Sequence, residues 1–144
     1  MKKRHSASVY LLMGALLFQG ISGTIGGIAL VTDPSGDTLR IPTSWLAGSP
    51  FHDYSVPGLI LLLALGLFPL FVPYGILKRA RWAWFGSTCV GAALIVWIVT
   101  EILIIGYHAR PPLQLIYGSL GIAILILSLL PSSRGHFRRD NPTT

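Results

Sequence analysis

Apolar positions in this chain fall into four long runs, separated by short polar clusters. The first run extends from about Val9 to Val31, the second from about Val56 to Leu77, the third from about Trp84 to Ile105 and the fourth from about Leu113 to Leu130. Each has about the 17–25 residues that cross ~30 Å of hydrocarbon at 1.5 Å per residue. Nothing in hydrocarbon satisfies an open backbone, so every run is predicted to be a helix. The expected fold is an all-α membrane protein: one domain, a four-transmembrane-helix bundle with tails at 1–8 and 131–144 and one long loop at 32–55.

Composition agrees with lipid as the solvent. The chain has 144 residues, 52% of them hydrophobic and 11% charged, against about 25% charged in a typical soluble domain. A domain of this size cannot enclose that much apolar surface. Residues 1–5 (Met-Lys-Lys-Arg-His) resemble the start of a signal peptide, but the apolar run that follows is too long for an ordinary signal core of about 7–15 residues. It is read as an uncleaved first span.

The charges set an orientation. Lys2, Lys3 and Arg4 precede the first run, Lys78, Arg79 and Arg81 join the second and third, and Arg134, Arg138 and Arg139 follow the fourth. Only Arg40 and Arg110 fall on the other side. Lys and Arg concentrate in cytoplasmic loops, so both termini are predicted inside and the 32–55 loop outside. The same clustering argues against nucleic acid as a partner, since the net charge of +6 is split into topology signals with no continuous basic face. The lipid bilayer is the partner that composition implies.

Small residues mark where helices would approach. Gly20, Gly23 and Gly27, with Ser22 and Gly26, give the first span a flat face, Ser87 and Gly91 do so for the third, and Ser119 and Ala123 for the fourth. These faces would join helices within one chain or in a homo-oligomer. Pro69 and Pro73 remove backbone donors from the second span and predict a kink there. In the long loop, residues 33–37 (Asp-Pro-Ser-Gly-Asp) read as a tight turn, and Thr43 or Ser44 would start a short helix ending near Gly48. Trp45, Leu46, Phe51 and Tyr54 suit the headgroup zone, so the loop is expected to fold back as a lid.

One ionisable residue lies within a run, Glu101, about five residues, or ~8 Å, below the loop-side surface. A carboxylate at such a depth usually faces the bundle interior with a partner. Trp97, Glu101, Ile104 and His108 share a helical face. Glu101 would serve either as a proton carrier or polar anchor for a ligand, or as a tie for the loop through Arg40, Arg110 or a backbone donor. Gln114, Tyr117, Arg110, His52 and His108 would complete a polar pocket around it, with Arg110, Trp45 and Tyr117 otherwise acting as interface anchors. Gln19, near the middle of the first run, is read as a buried amide that hydrogen-bonds across helices. His52 and Asp53 with His108 lack any metal-ligand spacing, no histidine pair sits within the runs to hold haem, and the lone Cys89 is read as a packing residue. No motif for metal, phosphate or nucleophilic catalysis is present in the sequence, so no cofactor and no catalytic residue are assigned.

Residues 45–61, from Trp45 through Phe51-His-Asp-Tyr54 and Pro57-Gly58, resemble a group of uncharacterised small bacterial membrane proteins. Residues 91–101, ending in Trp97-Ile-Val-Thr-Glu101, and Gln114 extend the likeness. The layout also resembles the broader DoxX and MauE-type four-span proteins, some of which are accessory subunits of membrane-linked redox systems. That resemblance implies a bacterial inner membrane and carries over no catalytic residue. Three functions remain in view. The chain would be an accessory or binding protein engaging a partner membrane protein or lipophilic molecule near Glu101, a proton-coupled transporter subunit acting as a homo-oligomer, or a subunit of a quinone-linked redox system.

Overall fold

Long apolar stretches without an internal backbone partner other than themselves wind into helices, and in a computed structural model of the chain they do so throughout. The structure describes residues 6–107 and 112–137. Helix α1 is Ala7–Thr32, α2 is Ser55–Leu62, α3 is Phe68–Leu77, α4 is Arg81–Ile105, α5 is Leu113–Leu129 and α6 is Pro131–Phe137. Two 3-10 turns, Asp37–Leu39 and Thr43–Leu46, interrupt the long loop. Among the described residues there is no strand.

Three helical segments are long and apolar enough to cross a bilayer: α1 with 26 residues, the continuous Ser55–Leu77 with 23, and α4 with 25. A fourth is counted if α5 and α6 are taken together as one span bent by 62°. Pro131 causes that bend, because it lacks the N–H that would continue α5 and holds Leu130 in an extended conformation (ψ 141°). The tail expected at 131–144 therefore begins with a helix, and its Ser133, His136 and Phe137 are buried.

The second span is not a plain α-helix either. Between α2 and α3 the chain widens into a π-turn, Leu63–Leu67, in which the Phe68 N–H reaches the Leu63 carbonyl. Pro69 follows at once and offers no N–H to the carbonyl of Leu65, four residues back. The side chain of Gln19 supplies the missing donor from α1, Nε2 to the Leu65 oxygen at 2.9 Å. Gln19 is fully buried, and its own Oε1 has no hydrogen-bond partner, nor does the buried Thr24 Oγ1 further along α1.

The glycines of α1 make this contact possible. A Cβ at Gly20 would stand 2.6 Å from the Leu70 side chain and 3.0 Å from the Gly66 carbonyl oxygen. One at Gly23 would overlap the Leu65 carbonyl, and one at Gly27 would lie 2.6 Å from the Leu62 backbone. From the opposite side, Gly58 meets Leu30 and Gly66 meets Thr24. The two backbones thus touch over the length of the span, as small residues permit in lipid.

Helices α4 and α5 repeat the device. A Cβ at Gly91 would approach the Leu125 backbone nitrogen at 2.9 Å, and one at Gly121 would approach the Gly91 carbonyl at 3.3 Å. Ser87 is buried and returns its hydroxyl to the Ala83 carbonyl of its own helix. On α5 the close contact uses Gly121, while Ser119 is exposed, so the expected Ser119–Ala123 face is displaced by half a turn. Leu12, Leu16, Val72, Ile76, Ala83, Val90 and Ile124 fill the interior toward the end that carries α6. Leu65, Leu94 and Ile98 fill it toward the loop end.

Candidate functional site

At the loop end, α4 closes with Gly106 at a positive φ of 77°, and the first residues of α5 lie against its last helical turn. Gln114 is buried there. Its Nε2 donates to the Gly106 carbonyl at 3.0 Å and to Glu101 Oε1 at 3.4 Å. The amide thereby links the end of α4, the start of α5 and the only acidic residue of the helical runs. Glu101 is half-buried, as are Trp97 and Ile104 on the same face. Trp97 and Tyr117 pack on the Leu65–Leu94–Ile98 cluster, and Tyr117 also stacks on Phe18 of α1 with ring centroids 6.2 Å apart.

The loop above these residues is tied by its own side chains. Asp33, just after α1, accepts the Thr38 N–H at 2.8 Å and the Thr38 hydroxyl at 2.7 Å, and the Ser35 hydroxyl also donates to it. These bonds, Ser35's foremost, lower the Asp33 carboxyl to about 2. Asp53 accepts the Ser55 hydroxyl and N–H, which starts the second span and holds the carboxyl below its usual value, with a smaller contribution from the charge of His52.

Tyr54 is the keystone of the loop. Its N–H donates to the Pro34 carbonyl, its carbonyl accepts the Gly58 N–H, and its hydroxyl donates to the Pro42 carbonyl at 2.9 Å. The ring is buried with Leu30 and Leu46, and Phe51 and Ile41 pack around them. Burial raises the phenol's pKa, and the negative charge of Glu101 raises it further. The 3-10 turn at Thr43–Leu46 packs against α4, so the loop and the Glu101 helix meet.

The structure brings Glu101, Gln114 and Trp97 together and sets Tyr54 within electrostatic reach. Arg40 ends the first 3-10 turn, exposed and at a positive φ of 57°. His52 and Asp53 are exposed on the loop, Asp53 engaged with Ser55. His108 and Arg110 lie outside the described residues. Gln19 sits elsewhere, at the π-turn. Among the described residues, no three His, Cys, Asp or Glu side chains converge as metal ligands.

Sequence reasoning misses the anchoring role of Tyr54 and the contacts of α6. At the α6 end, Trp84 Nε1 donates to the Ser128 carbonyl at 2.9 Å, His136 Nε2 lies 2.8 Å from the Ile76 carbonyl, and Ser8 bonds Ser132 and Ser133. The available signals are a tyrosine at the end of a proline-rich loop, and a proline followed by serines and an aromatic pair. Geometry and composition together define an all-helical protein of membrane character. Comparison with family models, with curated proteins and with solved structures finds no match to this chain.

Proposed function

We propose that this chain is a small, non-catalytic binding protein of the bacterial cytoplasmic membrane, which engages a membrane partner through Glu101. The partner presents a hydrogen-bond donor, carried by a transmembrane helix of another protein or by a lipophilic molecule. The chain crosses four times, with α5 as the shortest span, both termini in the cytoplasm and the 33–54 loop covering the outer end. The nine Lys and Arg that fall on one side, out of 11, support that orientation.

One observation carries the functional reading: a half-buried carboxylate sits inside a span, beneath an aromatic loop and beside the buried Gln114 amide. A carboxylate so placed is costly to keep in hydrocarbon, and such residues mark binding or transfer sites. An ionised carboxylate accepts at about four lone-pair positions, so Glu101 takes a partner's donor beside the contacts it makes within the chain.

Native mass spectrometry of the chain purified in mild detergent tests this. The parent should carry a bound polypeptide or a bound lipophilic compound, and Glu101→Gln should lose it while keeping its fold. Equal retention by the variant, or a parent carrying only bulk lipid, would overturn the reading. Orientation is checked separately in a Cys89→Ala background. Thr43→Cys and Gly135→Cys should react with an impermeant thiol reagent from opposite faces of the membrane.

A further inference from the structure

Helix α3 ends in a turn that normally calls for glycine. The Ala80 N–H reaches the Gly75 carbonyl at 2.9 Å, and the Arg79 N–H reaches the Ile76 carbonyl at 3.0 Å. This pair of bonds requires a left-handed residue after the helix cap, a place that glycine fills without strain. Arg79 occupies it, with φ 53°. Arginine gains nothing in this backbone position and carries the small cost of a left-handed side-chain-bearing residue there.

Lys78 and Arg81 flank Arg79 on the same turn, both exposed. Helix α6 folds back onto the turn through His136 and the Ile76 carbonyl, which brings in Arg134, its guanidinium 5.4 Å above the Trp84 ring of α4. Four cations from two distant segments therefore share one end of the bundle. Among the described residues, every carboxylate (Asp33, Asp37, Asp53 and Glu101) belongs to the loop end. Next to Lys78, Arg79 and Arg81 in the sequence, Leu77, Trp82 and Phe85 are exposed and apolar.

We propose that the surface formed by the α3–α4 turn and α6 binds an anionic phospholipid. Its phosphate headgroup contacts Arg79 and Arg134, and an acyl chain lies along Leu77, Trp82 and Phe85. The apolar strip favours a lipid over a soluble anion, since a free phosphate makes no use of it. Basic clusters beside membrane helices recognise anionic headgroups by the same combination of charge and position. The site is at the opposite end from Glu101 and does not depend on its role.

The test is native mass spectrometry of the full chain titrated with phosphatidylglycerol or phosphatidylcholine. The parent should retain phosphatidylglycerol preferentially. Arg79→Gly should weaken that retention about fivefold, and Arg79→Gly with Arg134→Gln about 25-fold, as expected for independent cations near a charged surface. Arg40→Gln, at the other end, should leave it unchanged. Because Arg79→Gly relieves the left-handed residue, its thermal stability should equal or exceed the parent's, which separates lost binding from lost folding. Arg81→Gln provides a second variant that leaves this backbone untouched. Equal retention of both lipids, or variants that bind as the parent does, would overturn the proposal. Displacement of the lipid by inorganic phosphate at equal concentration would assign the site to soluble anions and overturn it too.

Discussion

Replacing Gln19 by leucine isolates the contact on which the second span depends. The substitution keeps the bulk of the side chain in the core but deletes the Nε2 that donates to the Leu65 carbonyl. A buried acceptor left without a donor costs about 1–3 kcal/mol. The same change removes Oε1, a buried acceptor that already lacks a partner, and so recovers a similar amount. The two effects nearly offset, and Gln19→Leu alone should destabilise by about 0–1 kcal/mol, in keeping with the ~0.6 kcal/mol average for hydrogen bonds between membrane helices. The informative quantity is the coupling to Pro69. Pro69→Ala restores an N–H that can serve the Leu65 carbonyl within its own helix. In that background Gln19→Leu should be neutral or stabilising, giving a coupling of about 0.5–1.5 kcal/mol in a double-mutant cycle. Reversible unfolding in mixed micelles measures all four corners. If Gln19→Leu has the same effect in the parent as in the Pro69→Ala background, the amide is not compensating for the proline and the explanation of the π-turn fails.

Gly27→Leu should force α1 away from Leu62 and destabilise by about 1–3 kcal/mol, the usual range for overpacking, whereas Gly14→Leu, which meets nothing within 4 Å, should melt like the parent in the same detergent. The Asp33 carboxyl is lower in the folded chain than in the unfolded one, so its contribution is complete above the ordinary value of 3.8 and disappears as the pH falls through about 2. Amide exchange at residues 35–38, corrected for the intrinsic pH dependence of exchange, should therefore stay protected at pH ~5 and lose protection between about 4 and 2, with Asp33→Asn unprotected already at pH ~5. His136→Leu removes the side-chain donor to the Ile76 carbonyl, which the Arg79 N–H also reaches. It should lower stability by about 1 kcal/mol and expose residues 131–137 to protease, with helices α1 to α5 still folded.

Legibility in the sequence depends on the range of the interaction. Hydrophobic runs are a local property, and the first three expected spans begin and end within about one helical turn of the observed helical segments. The glycine face of α1 is equally visible, because residues four apart on a helix must share a side. Its partner is not visible. Nothing local in the sequence says that Gly23 faces Leu65, since that pairing depends on the angle at which two helices cross. The fourth apolar run shows the same boundary from the other direction. The run to Leu130 is plain, but a charged, serine-rich segment after a proline reads as a tail unless one knows that a buried surface awaits His136 and Phe137.

The prolines teach the sharper lesson. Pro69 announces that a carbonyl four residues earlier has lost its donor, and Gln19 announces a buried amide with no evident employment. Along the sequence one reads as a kink and the other as an interhelical bond, and only the fold joins them. In hydrocarbon a carbonyl freed by a proline is served by a neighbouring helix, a nearby side chain, an ordered water or a local widening of the helix, and at Leu65 the donor comes from a neighbouring helix. A polar residue in one span and a proline in another are thus better read as a candidate pair than as two independent anomalies. Glu101 and Gln114 follow the same logic one layer further out, where the carbonyl at the end of α4 takes the stronger bond at 3.0 Å and the carboxylate takes the weaker one at 3.4 Å. At the π-turn the donor is committed to a backbone group that its own helix cannot serve, which makes Gln19 structural. At Glu101 the amide is shared between the Gly106 carbonyl and the carboxylate, and the proposed partner's donor would join that set.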